Sequence, residues 1–232
     1  MTVLANHAHR MVAFAVGVLL GFAFTDLLPE ALNLGIDTAD AGWTLIGGML
    51  LFFVLEKLAI WRHSHQFTQH PQAYRAEVTI ILVGDGVHNF VDGILLAATF
   101  MTDITLGWVT AMAITAHEIP QEISDFMVLM HAGLSRTRAL LLNMLSGSAM
   151  LAGGLVGWIG FSHINHLIPH ALLVAAASFI YIALADLVPS LHRHFQPKDL
   201  ILQSGLLITG LAVAWTSPMM QQFLIHYWKA LV

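Results

Sequence analysis

Gly84-Asp85-Gly86-Val87-His88-Asn89-Phe90-Val91-Asp92-Gly93 and Ala116-His117-Glu118-Ile119-Pro120-Gln121-Glu122-Ile123-Ser124-Asp125-Phe126 decide how this chain is read. Both stretches lie inside long apolar segments, where ionisable groups are costly. On a helix, Asp85, His88, Asn89 and Asp92 fall at i, i+3, i+4 and i+7 and share one face. Glu118, Gln121, Glu122 and Asp125 repeat that spacing in the next segment, and His117 sits one turn before Gln121. At mid-membrane a carboxylate facing lipid costs about 2.5–3.5 kcal/mol on insertion scales. A single polar residue there reads as a helix–helix hydrogen bond. Two stripes of imidazole, carboxylate and amide facing each other read as a place for a metal cation.

The setting for the stripes is a membrane. The 232 residues are 57% hydrophobic and 10% charged, with a mean hydropathy of +0.75, whereas a soluble domain carries about 25% charged residues. Seven apolar segments follow one another: about Met11–Leu32, Trp43–Trp61, Val78–Met101, Ile104–Met130, Ala139–Phe161, Leu167–Val188 and Leu200–Leu224. Each has roughly the twenty residues that cross a hydrocarbon layer as a helix. The expected fold is therefore an all-α, polytopic membrane helix bundle of seven helices. It forms a single domain over residues 1–232, with a cytoplasmic loop at about 62–77. A signal-peptide reading of the first segment is disfavoured, because no small-residue cleavage site follows it and Asp26, Pro29 and Glu30 look built in.

Charge sets the direction. With Arg10 in the cytoplasm and seven alternating helices, Lys57, Arg62, Arg75, Arg136, Arg138, Arg193 and Lys198 all fall on or beside cytoplasmic loops, leaving Lys229 outside. The N-terminus is expected inside and the C-terminus outside. A net charge of −5 gives no footprint for nucleic acid. With no cysteine, disulfides and thiolate sites are excluded, so any metal must use His, Asp, Glu, Asn, Gln or backbone oxygen. A short repeat is also visible: Asp26-Leu27-Leu28-Pro29 in the first segment returns as Asp186-Leu187-Val188-Pro189 in the sixth. The two copies are antiparallel in this topology, as in the inverted repeats of secondary transporters.

In the fourth segment Pro120 cannot donate an N–H, so the carbonyl of Ala116 loses its intrahelical partner beside His117, Glu118 and Gln121. His117-Glu118 also begins the H-E-x-x-H pattern of a zinc protease, but the fifth position is Gln121 and Pro120 sits inside the turn. Proteolysis is the weakest of the readings, and the chain is not expected to be an enzyme.

His88-Asn89-x-x-Asp92-Gly93 followed by His117-Glu118-x-Pro120-Gln121-Glu122 resembles the paired signature of the ZIP (Zrt/Irt-like protein) family of divalent metal transporters. Ile123-Ser124-Asp125-Phe126, Leu27-Leu28-Pro29-Glu30-Ala31 and Phe53-Val54-Leu55-Glu56-Lys57-Leu58 resemble its zinc-transporting bacterial and organellar branch. The resemblance implies metal ligation by His88 and Asp92 from one helix and by His117 and Gln121 from the next. It implies a second position completed by Asn89, Asp92 and Glu118, with Asp92 able to bridge the two. Asp26, Glu30 and Asp186 would line the pathway or support the ligands, and Asp85, Glu122 and Asp125 would serve as entry or exit steps. His63, His65 and His70 would make a metal-receiving cytoplasmic loop, a reading no stronger than that of an ordinary solvated loop.

The sequence departs from the family pattern in three places. Gln121 stands where many relatives have His or a carboxylate. Ser146, Gly147 and Ser148 stand where some supply a carboxylate from the fifth segment. The family has eight membrane helices, and this chain begins at what resembles the second. The implied cargo is Zn2+, with Fe2+, Mn2+ or Cd2+ also admitted by oxygen–nitrogen ligands. The other expected partner is the lipid bilayer, with a homodimer left open. The implied function is zinc import into the cytoplasm, in a bacterial plasma membrane on the evidence of the short loops. The alternative is a metal-binding membrane sensor or subunit without flux.

Overall fold

The protein was analysed as a computed structural model. It describes the backbone of residues 2–64, 72–193 and 199–231, and the side chains of 11–55, 57, 78–79, 81–192 and 200–216. The described residues form seven helical rods. We label them α1 (residues 2–33), α2 (Thr38–Ser64), α3 (Gln72–Thr102), α4 (Ile104–His131), α5 (Arg136–His163), α6 (residues 165–193) and α7 (Asp199–Leu231). Five stretches, in α1, α2, α3, α5 and α6, are long and apolar enough to cross a membrane. α4 carries Glu118, Glu122 and Asp125 in its second half, and α7 contributes the apolar stretch Leu200–Thr216.

The rods pack as two groups. In one, α1 lies against α7 and α2 lies against α6. In the other, α3 lies against α4 and α5. The groups meet where α1 contacts α4 and where α6 contacts α3. The tightest packing is made by small residues. A Cβ on Gly153 of α5 would collide with the backbone of Phe90 on α3, and one on Gly93 would collide with Met150 and Gly154. In lipid there is little hydrophobic gain from joining helices, so close backbone approach and dispersion must hold them. Val16, Leu19, Phe22 and Leu27 of α1 are buried together with Leu172, Leu173, Ala176 and Phe179 of α6.

The sequence repeat has a structural counterpart. Ala23–Leu27 and Ile182–Leu187 are both π-helical, and each is followed at once by an α-turn with proline in second place, Pro29 and Pro189. Proline withdraws a donor and its ring presses on the preceding turn. A widened turn accommodates both effects without breaking the rod. Each π-turn also packs on the opposite rod, so the two irregular turns lie within one α1–α6 interface.

One connection fixes the depth of the stripes. Asp103 alone separates α3 from α4. Its Oδ1 accepts from the N–H groups of Thr105 (2.7 Å) and Leu106 (3.0 Å), which caps α4. His88 lies 15 residues before this turn and His117 lies 14 after it. At 1.5 Å per residue they are about 22 and about 21 Å from the turn. The tight hairpin therefore brings the two histidines to one level.

Candidate metal centre

The two histidines do meet. His88 Nε2 and His117 Nε2 are 3.3 Å apart. His88 Nε2 lies 3.2 Å from Glu118 Oε1 and 3.8 Å from Asp92 Oδ2. His117 Nε2 lies 3.3 Å from Asp92 Oδ2 and 3.4 Å from Glu118 Oε1. These four atoms come from four side chains on two helices. Zinc bonded to nitrogen and oxygen at about 2.0–2.1 Å holds the corners of a regular tetrahedron about 3.3–3.4 Å apart. The five distances of 3.2–3.8 Å bracket that edge.

The surroundings favour a cation. Asp92 is fully buried and His117 is 1% exposed. Both oxygens of Asp92 and Oε1 of Glu118 are buried without a hydrogen-bond donor. Asp85 Oδ2 and Asn143 Oδ1 complete a set of five buried acceptors lacking donors, among seven such polar atoms in the described residues. Buried acceptors left without donors are costly, and a bound cation satisfies several at once. His117 Nδ1 lies 3.2 Å from the carbonyl of Ala113, one turn back. With the proton on Nδ1, that bond leaves Nε2 with its lone pair toward the cluster. Phe179 of α6 lies edge-on to the His117 ring, the two centroids 6.1 Å apart.

A second group of carboxylates lies beside the first. Oxygens of Asp85, Glu118 and Glu122 converge within 4.8 Å of one another. Glu118 thus belongs to both groups. Asn89 Nδ2 donates to the backbone carbonyl of Asp85 (3.2 Å) and to its Oδ1 (3.1 Å), and Gln121 Nε2 donates to the same Oδ1 (3.3 Å). The amide nitrogens of Asn89 and Gln121 are therefore turned to Asp85.

Of the remaining residues singled out in the sequence, Asp125 is half-buried one turn beyond Glu122, within electrostatic reach of Asp85 and Glu118. Asp26 and Glu30 are half-buried on α1, and Asp186 is exposed on α6. None of these three joins either cluster of histidine and carboxylate among the described residues. Thr25 Oγ1 donates to Asp26 Oδ2 at 2.6 Å. His63, His65 and His70 lie outside the residues whose side chains are described. α4 stays helical through Pro120. The sequence reading passed over Asn143 of α5, which is buried and donates to the carbonyl of Glu122 at 3.0 Å. Its signal was a polar residue three places before Ser146 on the same face of the helix.

The profile of the ZIP zinc transporter family matches residues 62–216. This stretch is more than half of the chain and holds all four converging side chains. The chain belongs to the ZIP family. Over 229 residues it is 31% identical to the zinc transporter ZIP13 of Pongo abelii, covering 90% of this chain and 66% of that protein. It is 38% identical over 138 residues to human zinc transporter ZIP4, covering 59% of this chain and 21% of that protein. It is 33% identical over 141 residues to zinc transporter ZIP10 of Danio rerio, covering 58% and 17%. The chain thus spans between about a sixth and two thirds of the length of these relatives. ZIP proteins are transporters and not enzymes, which disposes of the protease reading raised by His117-Glu118.

Proposed function

We propose that this ZIP chain carries divalent metal, zinc foremost, across a membrane into the cytoplasm. The carrying observation is the near-tetrahedral convergence of His88, Asp92, His117 and Glu118 between two membrane helices. Neutral imidazole and carboxylate together suit zinc, and they also admit Fe2+, Mn2+ and Cd2+. Asn89 and Gln121 are the further ligands implied by the family pattern. Both can offer amide oxygens while their nitrogens hold Asp85.

The direction is argued from charge. Lys and Arg crowd the loops on one side of the seven-rod topology, which makes that side cytoplasmic. Asp85, Glu122 and Asp125 then lie between the histidines and the cytoplasm, a descending series of carboxylates for a departing cation. Asp26, Glu30 and Asp186 belong to the opposite group of rods and serve the pathway rather than ligation. His63, His65 and His70 would receive metal on the cytoplasmic side. The short connections between the rods favour a bacterial plasma membrane, and the motif tails favour the zinc-transporting bacterial and organellar branch.

The test is zinc flux into proteoliposomes holding the 232-residue chain, beside Asp92→Ala. Saturable uptake by the parent, reduced in the variant by at least about tenfold, is the expected result. Equal uptake in both would overturn the assignment of the site. Zinc bound without uptake by either would turn the reading toward a metal-binding sensor or subunit.

A further inference from the structure

We propose that Asp85, Glu118 and Glu122 form an all-oxygen divalent-cation position. It shares the Glu118 carboxylate with the histidine-containing site and lies on that site's cytoplasmic side. This rests on the transport reading above, but it uses different side chains. It also departs from the second position that the family resemblance implied, which drew on Asn89, Asp92 and Glu118.

Convergence of three carboxylates within 4.8 Å would not suffice alone. Asp85 supplies the first further observation. It is 5% exposed, and its Oδ1 accepts from both Asn89 and Gln121. Two amides thus fix the carboxylate, while Oδ2 stays buried with no hydrogen-bond partner. Ser146 lies beside this carboxylate. Its hydroxyl donates to backbone carbonyls of α5, at 3.0 Å for Asn143. A buried, oriented oxygen without a geometric hydrogen-bond donor, beside two further carboxylates, is a place where a cation would be stabilised. Among the described residues no Lys or Arg forms an ion pair with any of the three.

A third helix supplies the second observation. Asn143 of α5 holds the backbone at Glu122 through its amide nitrogen, and its amide oxygen is buried without a donor. Beside it, a Cβ placed on Gly147 would come within 3.1 Å of Glu122 Oε1. In this chain Ser146, Gly147 and Ser148 bring no carboxylate from α5, and Glu122 fills the space in front of Gly147 from α4 instead. The missing charge is restored from a different helix. The bridging group changes too, from Asp92 to Glu118.

The ligand class follows from the donor atoms. Three carboxylates and no imidazole favour a hard cation such as Mn2+ or Mg2+ over zinc, while the two histidines next door favour zinc or Co2+. The two positions should therefore be separable by metal. With the purified full chain in nanodiscs, Co2+ absorption bands report the histidine site, and the electron paramagnetic resonance of bound Mn2+ reports the oxygen site.

The expected result is one Co2+ and one Mn2+ per chain. Glu122→Gln and Asp85→Asn should each weaken Mn2+ by at least about tenfold and leave the Co2+ bands in place, which also shows that the variants are folded. Gly147→Ala should weaken Mn2+ in the same direction by displacing Glu122. His88→Ala should remove the Co2+ bands and retain Mn2+. Mn2+ binding unchanged by both carboxylate variants would overturn the proposal. Co2+ bands with no bound Mn2+ in the parent would also overturn it, and would leave the histidine site standing. An absence of Co2+ bands in the parent would instead sink the reading on which the proposal rests.

Discussion

Gln121 is the residue at which the proposed strength of the histidine site is most directly tested. It sits one helical turn beyond His117 and donates to Asp85 at 3.3 Å. An uncharged amide oxygen is a poorer zinc ligand than imidazole nitrogen. Gln121→His should therefore tighten zinc binding by about tenfold, or about 1.4 kcal/mol, in a chelator competition. The same change should slow zinc uptake, because a cation held more tightly leaves more slowly. Tighter binding with faster uptake would contradict this account. Spacing and burial in lipid made the two polar stripes legible, since they fix which side chains share a face and disfavour charge on any other. They did not single out these four: the family resemblance implied Gln121, not Glu118, beside His88, Asp92 and His117. The amide nitrogens of Asn89 and Gln121 pointing to Asp85 were not legible. That choice depends on the distance between two helices and on competition among several acceptors, neither of which spacing along one helix reveals.

At the scale of elements, the site depends on how closely α3 can approach α5. Gly153 meets the carbonyl of Phe90, next to Asn89 and two residues from His88. Gly153→Val should push α5 away and cost about 1–3 kcal/mol, the usual range for overpacking. The readout is a lower midpoint of thermal aggregation in detergent, together with weaker Mn2+ at Asp85 and Glu122, because Asn143 moves with α5. An unchanged midpoint would mean that the crossing is looser than the backbone contact indicates. The seven rods were legible because each apolar run has membrane length. The π-turns at Ala23–Leu27 and Ile182–Leu187 were legible only as repeated letters. Proline marks where a regular turn is strained, but whether the chain bends, breaks or widens depends on the partner helix. Pro120 makes the point within one protein, since its helix carries on without a π-turn.

For the whole molecule, the decisive quantity is which way the stripes point across the bilayer. The two clusters are offset along α3 and α4, so a metal passing from the histidines to Asp85 and Glu122 moves toward the ends at Gln72 and His131. Arg136 and Arg138, at the start of the next helix after the end of α4 at His131, are the basis for proposing that this end is cytoplasmic. The absence of native cysteine makes this testable, because any introduced thiol is the only one present. Thr137 and Ser162 are both exposed and lie at opposite ends of α5. In intact cells an impermeant maleimide should label Ser162→Cys and spare Thr137→Cys, and inverted vesicles should give the reverse. If Thr137→Cys alone is labelled from outside, the bundle is inverted. Asp85 and Glu122 would then face the exterior, and the charge argument for import would lose its support. The labelling therefore decides which cluster lies nearer the cytoplasm, and flux measured in vesicles of known orientation decides the direction.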